Sequence, residues 1–263
     1  MMKANLRLVG TWIFVLCATL LLSSTIHAQP AGTTNFYTNI KAYNLASLWR
    51  ADRLRLLSLK QVEPFPKPFG AVGKNYQRFY IHYLSVTQDA ANPYRYLVQG
   101  KTRIGNQIRP FAGTITITQA GIFKPDNAYS PESYRGYKRG QLIAKVDFKE
   151  DSQDGGTISG KLTTNFCINA QNQLLYDTLD FGIDGYENNQ FLGTIKKPSS
   201  ATAQTLRWGD YSLMGTPIVD EAGMNIPQEY EKYGWQTFNA AIGSDLRPAS
   251  KAAIAEEKRQ WWK

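Results

Sequence analysis

Histidine and cysteine are almost absent from this 263-residue chain, with two of each. His27 and Cys17 fall in an N-terminal stretch that reads as a removable targeting segment, which leaves His82 and Cys167. One cysteine cannot form an intramolecular disulfide, so the fold must hold by burial even in an oxidising compartment. One histidine excludes two-histidine metal sites and restricts any Ser-His-Asp arrangement to His82. Long apolar runs are missing too. Val9 to Leu22 is the longest and falls short of the roughly 20 residues that span a bilayer. The phosphate-loop signature is also absent. Gly70-Ala71-Val72-Gly73-Lys74 has the wrong spacing, and Asn75 stands where a magnesium-binding Ser or Thr would be needed.

The first 28 residues have the layout of a signal peptide. Lys3 and Arg7 form the positive region, Val9–Leu22 the apolar one, and Ser23 to Ala28 a small-residue cleavage site before Gln29. Leu16 before Cys17 does not suit a lipid-anchoring signal. Export to the periplasm or the extracellular space is expected, with no membrane-spanning segment after processing. Residues 29–42 read as a flexible leader, 43–224 as one β-domain and 225–263 as a C-terminal helical segment.

The β-domain is organised around Tyr76–Thr118. There YQRFYIHYLSVT, YRYLVQGKTR and IRPFAGTITIT are β-branched and aromatic runs separated by QDAANP and IGNQ, a meander pattern. Further strands follow. Leu142, Ala144, Val146 and Phe148 alternate with Lys145, Asp147 and Lys149. After the turn at Glu150–Gly156, Ile158, Gly160, Leu162, Thr164, Phe166 and Ile168 share a face. Leu174–Phe181, Gln190–Lys196 and Thr205–Met214 extend the series. Upstream, a short helix after Asn44 feeds a strand at Asp52–Leu56. Glu63–Pro68 reads as a polyproline-like connection that continues neither element.

Eight or more strands joined by short turns predict an all-β fold, an antiparallel up-and-down β-barrel with lipocalin-like layout; a β-sandwich is the alternative. Closure would remove unpaired edges, and Gly100, Gly113, Gly140 and Gly160 suggest bends. At the C-terminus a helix capped by Asn225 runs from Pro227 to Gly243, and a second covers Ala249–Trp262.

Catalytic constellations are scarce. His82 has neither a nucleophile nor an orienting carboxylate nearby and reads as structural. Cys167 reads as a thiol covered by a terminal helix. Asp147, Glu150, Asp151 and Asp154 ring one turn, and Asp177, Asp180, Asp184 and Glu187 another. Such rim acids are normally solvated, although an opposed pair would suit glycoside chemistry. Asp151–Gly155 lacks the alternating ligands and closing Glu of a calcium loop. No metal site and no cofactor are expected. The formal charge of +9 with abundant Tyr and Trp has no recognised nucleic-acid module beside it. Anionic glycans or envelope polymers suit that charge better.

The run KNYQRFYIHYLSVTQDAANPYRYLVQGKTRIGNQIRPFAGTITI, with NNQFLGTI and RWGDY, resembles an uncharacterised family of exported β-rich proteins from Bacteroidetes-type bacteria. That resemblance implies export and one β-rich domain, and it supplies no activity or site residue. The lipocalin comparison is one of layout alone, since Ser47 and Leu48 precede Trp49 where Gly-x-Trp would be expected. The leading expectation is a non-enzymatic protein binding a small apolar ligand or a glycan through Arg78, Tyr80, His82, Tyr96 and Trp208. A carboxylate-dependent glycan-active enzyme and an envelope interaction protein using Pro64–Pro68 or the C-terminal helices are the alternatives.

Overall fold

The computed structural model describes residues 29–124, 136–213, 215–218, 226–243 and 247–263. The targeting segment, the Asn225 cap, Met214 and most of the Tyr129–Lys138 loop lie outside the described residues.

The protein is predominantly β and antiparallel. Its main sheet contains β1 (Thr33–Asn35), β4 (Phe69–Val72), β5 (Gln77–Asp89), β6 (Asn92–Ile104), β7 (Gln107–Phe123), β8 (Lys138–Glu150), β9 (Thr157–Ile168), β10 (Leu174–Tyr176), β11 (Asn188–Lys196) and β12 (Gln204–Asp210). Hydrogen-bond ladders join β4 through β9 in chain order, pass from β9 to β11 and β12, and return from β12 to β4. The pairing is therefore a ring of eight strands. Strand β1 continues the ladder on β7, and β10 does so on β9, pairing their C-terminal ends.

Alternation decides which side chains face inward. Leu142, Ala144, Val146 and Phe148 on β8, with Ile158, Leu162 and Phe166 on β9, are at most 1% exposed and belong to one cluster. Strand β5 contributes Phe79, Ile81 and Tyr83 to it. A bulge between Tyr83 and Ser85 then inserts Leu84 as an extra residue, and a one-residue slip exchanges the faces. Val86 consequently packs on the core, whereas Arg78, Tyr80 and His82 face the opposite way.

The inner face is filled. Trp208 stacks on Phe191 with ring centroids 3.6 Å apart and lies 6.1 Å from Phe79. Phe111 stacks on Phe148 at 4.7 Å. Gly100 lies opposite the Tyr83–Ser85 register shift, as a glycine at a bulge would, and it also makes room for a ring, as does Gly160. A Cβ on Gly100 would stand 2.5 Å from the Phe111 ring, and one on Gly160 2.7 Å from that of Phe191. Each glycine is a seat for an aromatic ring that lies across the sheet.

Residues 29–42, expected as a flexible leader, are mostly exposed but are anchored at Thr33, 1% exposed, and at Ile40, fully buried. Helix α1 (Tyr37–Ile40) and helix α2 (Ala46–Trp49) bring Ile40, Leu45, Leu48 and Trp49 into the main core. Asn44 Oδ1 accepts the Ala46 N–H at 3.0 Å, although Leu45, not Asn44, stands at the N-cap of α2. Polar side chains anchor these helices. Trp49 Nε1 donates to Thr164 Oγ1 at 3.0 Å, and Asn189 Nδ2 donates to the Leu48 carbonyl at 2.8 Å. Asn189 Oδ1 accepts from Thr164 at 2.8 Å, while Asn189 Nδ2 and Tyr176 OH both donate to Asp210 Oδ2, at 2.7 and 2.9 Å. Burial pushes the Asp210 carboxyl up to about 7 against the pull of those two hydrogen bonds.

Two expectations upstream of β4 need correction. Arg53–Leu56 (β2) joins a separate two-stranded sheet with Gln61–Pro64 (β3), so it is not the first strand of the main sheet. Glu63 and Pro64 belong to β3. Pro64 is tolerated because it is the terminal residue of an edge strand, where its missing N–H removes no ladder bond.

The C-terminal segment comprises α3 (Gln228–Tyr230), a wide turn at Glu231–Trp235, α4 (Gln236–Ile242) and α5 (Lys251–Lys258). The single helix expected here is broken at Tyr233 and Gly234, the latter at φ +99°. Gly243, at φ +75°, terminates α4 as expected, and Ser250 Oγ caps α5 through the Ala253 N–H. A second core of Ala71, Leu213, Ile218, Ile226 and Trp235 lies beneath this segment. There Trp235 Nε1 donates to the Tyr76 carbonyl at 2.9 Å.

Candidate functional site

The outward side of β5 does not face bulk water. Arg78, Tyr80 and His82 stand along it at two-residue intervals, and the C-terminal segment folds back over them. Between the two lies a cleft of about 400 Å³. Phe69, Phe238, Ile242, Ile254, Trp261 and Trp262 supply its apolar walls, and Lys67, Arg78, Arg103, Glu256 and Glu257 its charges.

Each expected site residue can now be placed. Arg78 is 6% exposed and grips Glu257 with both terminal nitrogens, at 2.7 and 2.5 Å. Thr237 Oγ1 donates to the same carboxylate at 2.6 Å. Burial pushes Glu257 upward, but Arg78, Thr237 and the Lys67 charge outweigh it and hold the carboxyl below its ordinary range. Tyr80 stands between two guanidinium groups, with Arg78 and Arg103 each 4.5 Å from its ring centre. Such contacts are worth about 0.5–2 kcal/mol each. Trp261 meets Tyr80 edge-on at 5.9 Å.

His82 stacks on Trp262 at 3.7 Å, 14° from parallel. Burial, then the charges of Arg50 and Lys67, lower its pKa to about 4. The imidazole is therefore neutral at physiological pH and serves as an aromatic surface. Lys67 closes the cleft from the side, donating to the carbonyls of Glu257 and Arg259 at 2.7 and 3.3 Å. Burial lowers its pKa despite the nearby acids.

Tyr96 and Trp208 are not part of this cleft. Both belong to the packed inner face, at 0% and 1% exposed. Tyr96 OH accepts the Leu45 N–H at 2.9 Å and donates to the Tyr43 carbonyl; Trp208 is held in the Phe79–Phe191 stack. Sequence reasoning grouped five aromatic and basic residues that the sheet divides between two faces.

It also missed half of the cleft. Lys67, Phe238, Glu257, Trp261 and Trp262 lie in segments that the sequence identifies only as a connection and as C-terminal helices. The available signal was Trp261-Trp262, two large aromatic residues closing an otherwise polar run, EEKRQWWK.

Of the turn acids, Asp151, Asp154 and Asp184 are exposed as expected, whereas Glu150 and Asp177 are buried. Glu150 is 2% exposed, accepting from Thr102 Oγ1 at 2.5 Å and from the Gly156 N–H at 2.8 Å. Asp177 and Asp180 are both claimed by Arg139 at 2.7 Å. They line a second cleft of about 370 Å³ with Asp184, Tyr186 and Glu187. Glu187 has no hydrogen-bond or ion-pair partner among the described residues, and burial pushes its pKa up to about 7. Cys167 is fully buried and pairs in register with Arg139 on β8 and Leu175 on β10. Burial raises its thiol pKa well above the ordinary range, so it is unreactive.

No group of three or more His, Cys, Asp or Glu suited to a metal ion occurs among the described residues, and no helix among them is long and apolar enough to cross a membrane. No protein-family model, no curated protein and no solved structure matches this chain.

Proposed function

We propose that this chain is an exported, non-enzymatic binding protein that uses a closed up-and-down β-barrel as a solid scaffold and takes a small apolar ligand on the barrel's outer wall. The observation that carries the reading is the cleft of about 400 Å³ between β5 and the C-terminal segment. Its size and aromatic walls match those of small-molecule sites. The ring of ladders supports closure, and the packed inner face directs the ligand to the outside, unlike a lipocalin calyx. Arg78, Tyr80 and His82 line this cleft, whereas Tyr96 and Trp208 are buried in the inner face.

The cleft is also suited to report on itself, because Trp261 and Trp262 form part of its wall. Binding of the neutral apolar probe N-phenyl-1-naphthylamine should raise probe emission and quench tryptophan fluorescence. Ile242→Trp, a substitution at a half-exposed wall position, should obstruct the cleft and abolish both signals. Native mass spectrometry of protein purified from its own source should retain a bound small molecule. Loss of neither signal in Ile242→Trp, with a bare protein mass, would remove the basis of the reading.

One observation favours a second reading, a carboxylate-dependent glycan-active enzyme. Glu187 is an unpaired carboxyl whose pKa of about 7 suits a general acid. Hydrolysis of a glycan panel that vanished in Glu187→Gln would establish it.

A further inference from the structure

The cleft does not end at Tyr80. Beyond that ring lies a recess of about 320 Å³, bounded by the β6–β7 hairpin and the wide turn before α4. Arg78, Tyr80 and Arg103 line both spaces, so the two meet at the tyrosine. Their chemistry differs sharply. The cleft has apolar walls, and its carboxylates are already taken up: Glu257 by Arg78 and Thr237, Glu256 by Arg259. The recess contains Arg78, Arg103 and Lys232 and no carboxylate at all among its lining residues.

Two of those cations have capacity to spare. A guanidinium carries five N–H donors. Arg103 directs one at the Gly105 carbonyl, at 3.0 Å, and reaches Glu256 only at 3.4 Å. Lys232 forms no ion pair or hydrogen bond among the described residues and lies over the Tyr233 ring at 5.3 Å. Arg78, by contrast, is consumed by Glu257. Arg103 is only partly compensated by Glu256, and Lys232 not at all among the described residues. Such an excess of positive charge beside an apolar cleft is the arrangement that seats a molecule with an apolar body and an acidic head. The positive net charge, +9 over the full sequence and +7 without Lys3 and Arg7 of the targeting segment, would draw such a molecule toward the protein from a distance.

We propose that the ligand is an amphiphilic anion whose apolar body occupies the cleft and whose carboxylate or phosphate passes Tyr80 to meet Arg103 and Lys232. This inference rests on the cleft being a ligand site, and the test separates the two ideas. Octanoate, octanol and octylamine share one chain and differ only in the head group. Each is titrated against the full-length protein while displacement of N-phenyl-1-naphthylamine is followed, at low and at high salt. Octyl phosphate in the same series distinguishes a phosphate head from a carboxylate one.

Octanoate or octyl phosphate should bind at least about tenfold more tightly than the alcohol and the amine, equivalent to about 1.4 kcal/mol. The preference should shrink as salt screens the charges. Lys232→Glu, at an exposed position, should invert the order of acid and amine, and its melting temperature shows whether the fold is intact. Equal binding of acids and alcohol, or an acid preference that survives Lys232→Glu unchanged, would overturn the inference and leave the cleft as an apolar site. Failure of all four to displace the probe would overturn the cleft reading and the inference with it.

Discussion

Replacing Asp210 by Asn should change the pH dependence of stability more than stability itself. The carboxyl is 1% exposed and accepts hydrogen bonds from Asn189 and Tyr176. Its pKa rises from 3.8 to about 7 on folding, because burial penalises the charged form. Between those values the folded state binds more protons at this group than the unfolded state does. The contribution of Asp210 is therefore fully present below pH 3.8 and is lost as pH rises towards about 7. A shift of about three units is worth about 4 kcal/mol at 1.36 kcal/mol per unit, a large share of the ~5–15 kcal/mol by which domains are stable.

Asn is the neutral isostere and still offers an oxygen to Tyr176 and Asn189, so it removes the titration and keeps the shape. Urea unfolding of both proteins near pH 4 and near pH 8 gives the difference in stability at each end. The variant should gain about 4 kcal/mol on the wild type across that interval. Taking the difference cancels the titration of every other group. A difference that stays constant to within about 1 kcal/mol would refute the claim that the carboxyl is held near neutrality by burial.

Three further outcomes follow from particular contacts. Gly160→Ala would place a Cβ 2.4 Å from the Leu192 carbonyl oxygen and 2.5 Å from Gly193 Cα, and should cost about 1–3 kcal/mol by overpacking; a melting temperature equal to the wild type's would contradict it. Glu257→Gln leaves the nearly buried Arg78 with a neutral partner, and should loosen the C-terminal segment by about 2 kcal/mol. Faster proteolysis within residues 247–263 is the expected readout, and unchanged cleavage would show that the Arg78 pair does not hold the segment down. His82, with a pKa of about 4, should show ring-proton NMR shifts that stay flat from about pH 6 to about pH 8. A midpoint near the ordinary value of about 6.5 would mean that the stack with Trp262 does not shield it in solution.

The strand pattern was readable because alternation is a local property. Leu142 to Phe148 and Ile158 to Ile168 face inward as their spacing predicts, and the turns between them lie where Gly, Asn and Asp cluster. The β5 bulge was not readable. Nothing in Tyr83-Leu84-Ser85 distinguishes an extra residue from a regular one, and that single insertion moves Val86 away from the face of His82. The strand glycines were singled out as bends or bulges; Gly100 does stand opposite the β5 bulge, while Gly100 and Gly160 also make room for aromatic rings. That second role depends on Phe111 and Phe191, which stand eleven or more residues away in sequence. Asp151, Asp154 and Asp184 are solvated as read, but the burial of Asp177 and Glu150 was not legible, because composition carries no information about Arg139 reaching Asp177, or Thr102 reaching Glu150.

By itself, the sequence determined an antiparallel β architecture, the grouping of Arg78, Tyr80 and His82 on one face, and the scarcity of histidine and cysteine. Each follows from short-range periodicity or from residue counts. The tertiary structure decided which face is the interior, that Tyr96 and Trp208 pack within it, and that Trp261 and Trp262 return to cover His82 and Tyr80. Those facts depend on ladder closure between β4 and β12 and on contacts between residues some 180 positions apart, such as the Arg78–Glu257 pair. A face is a property of one strand, whereas a site requires two elements to meet.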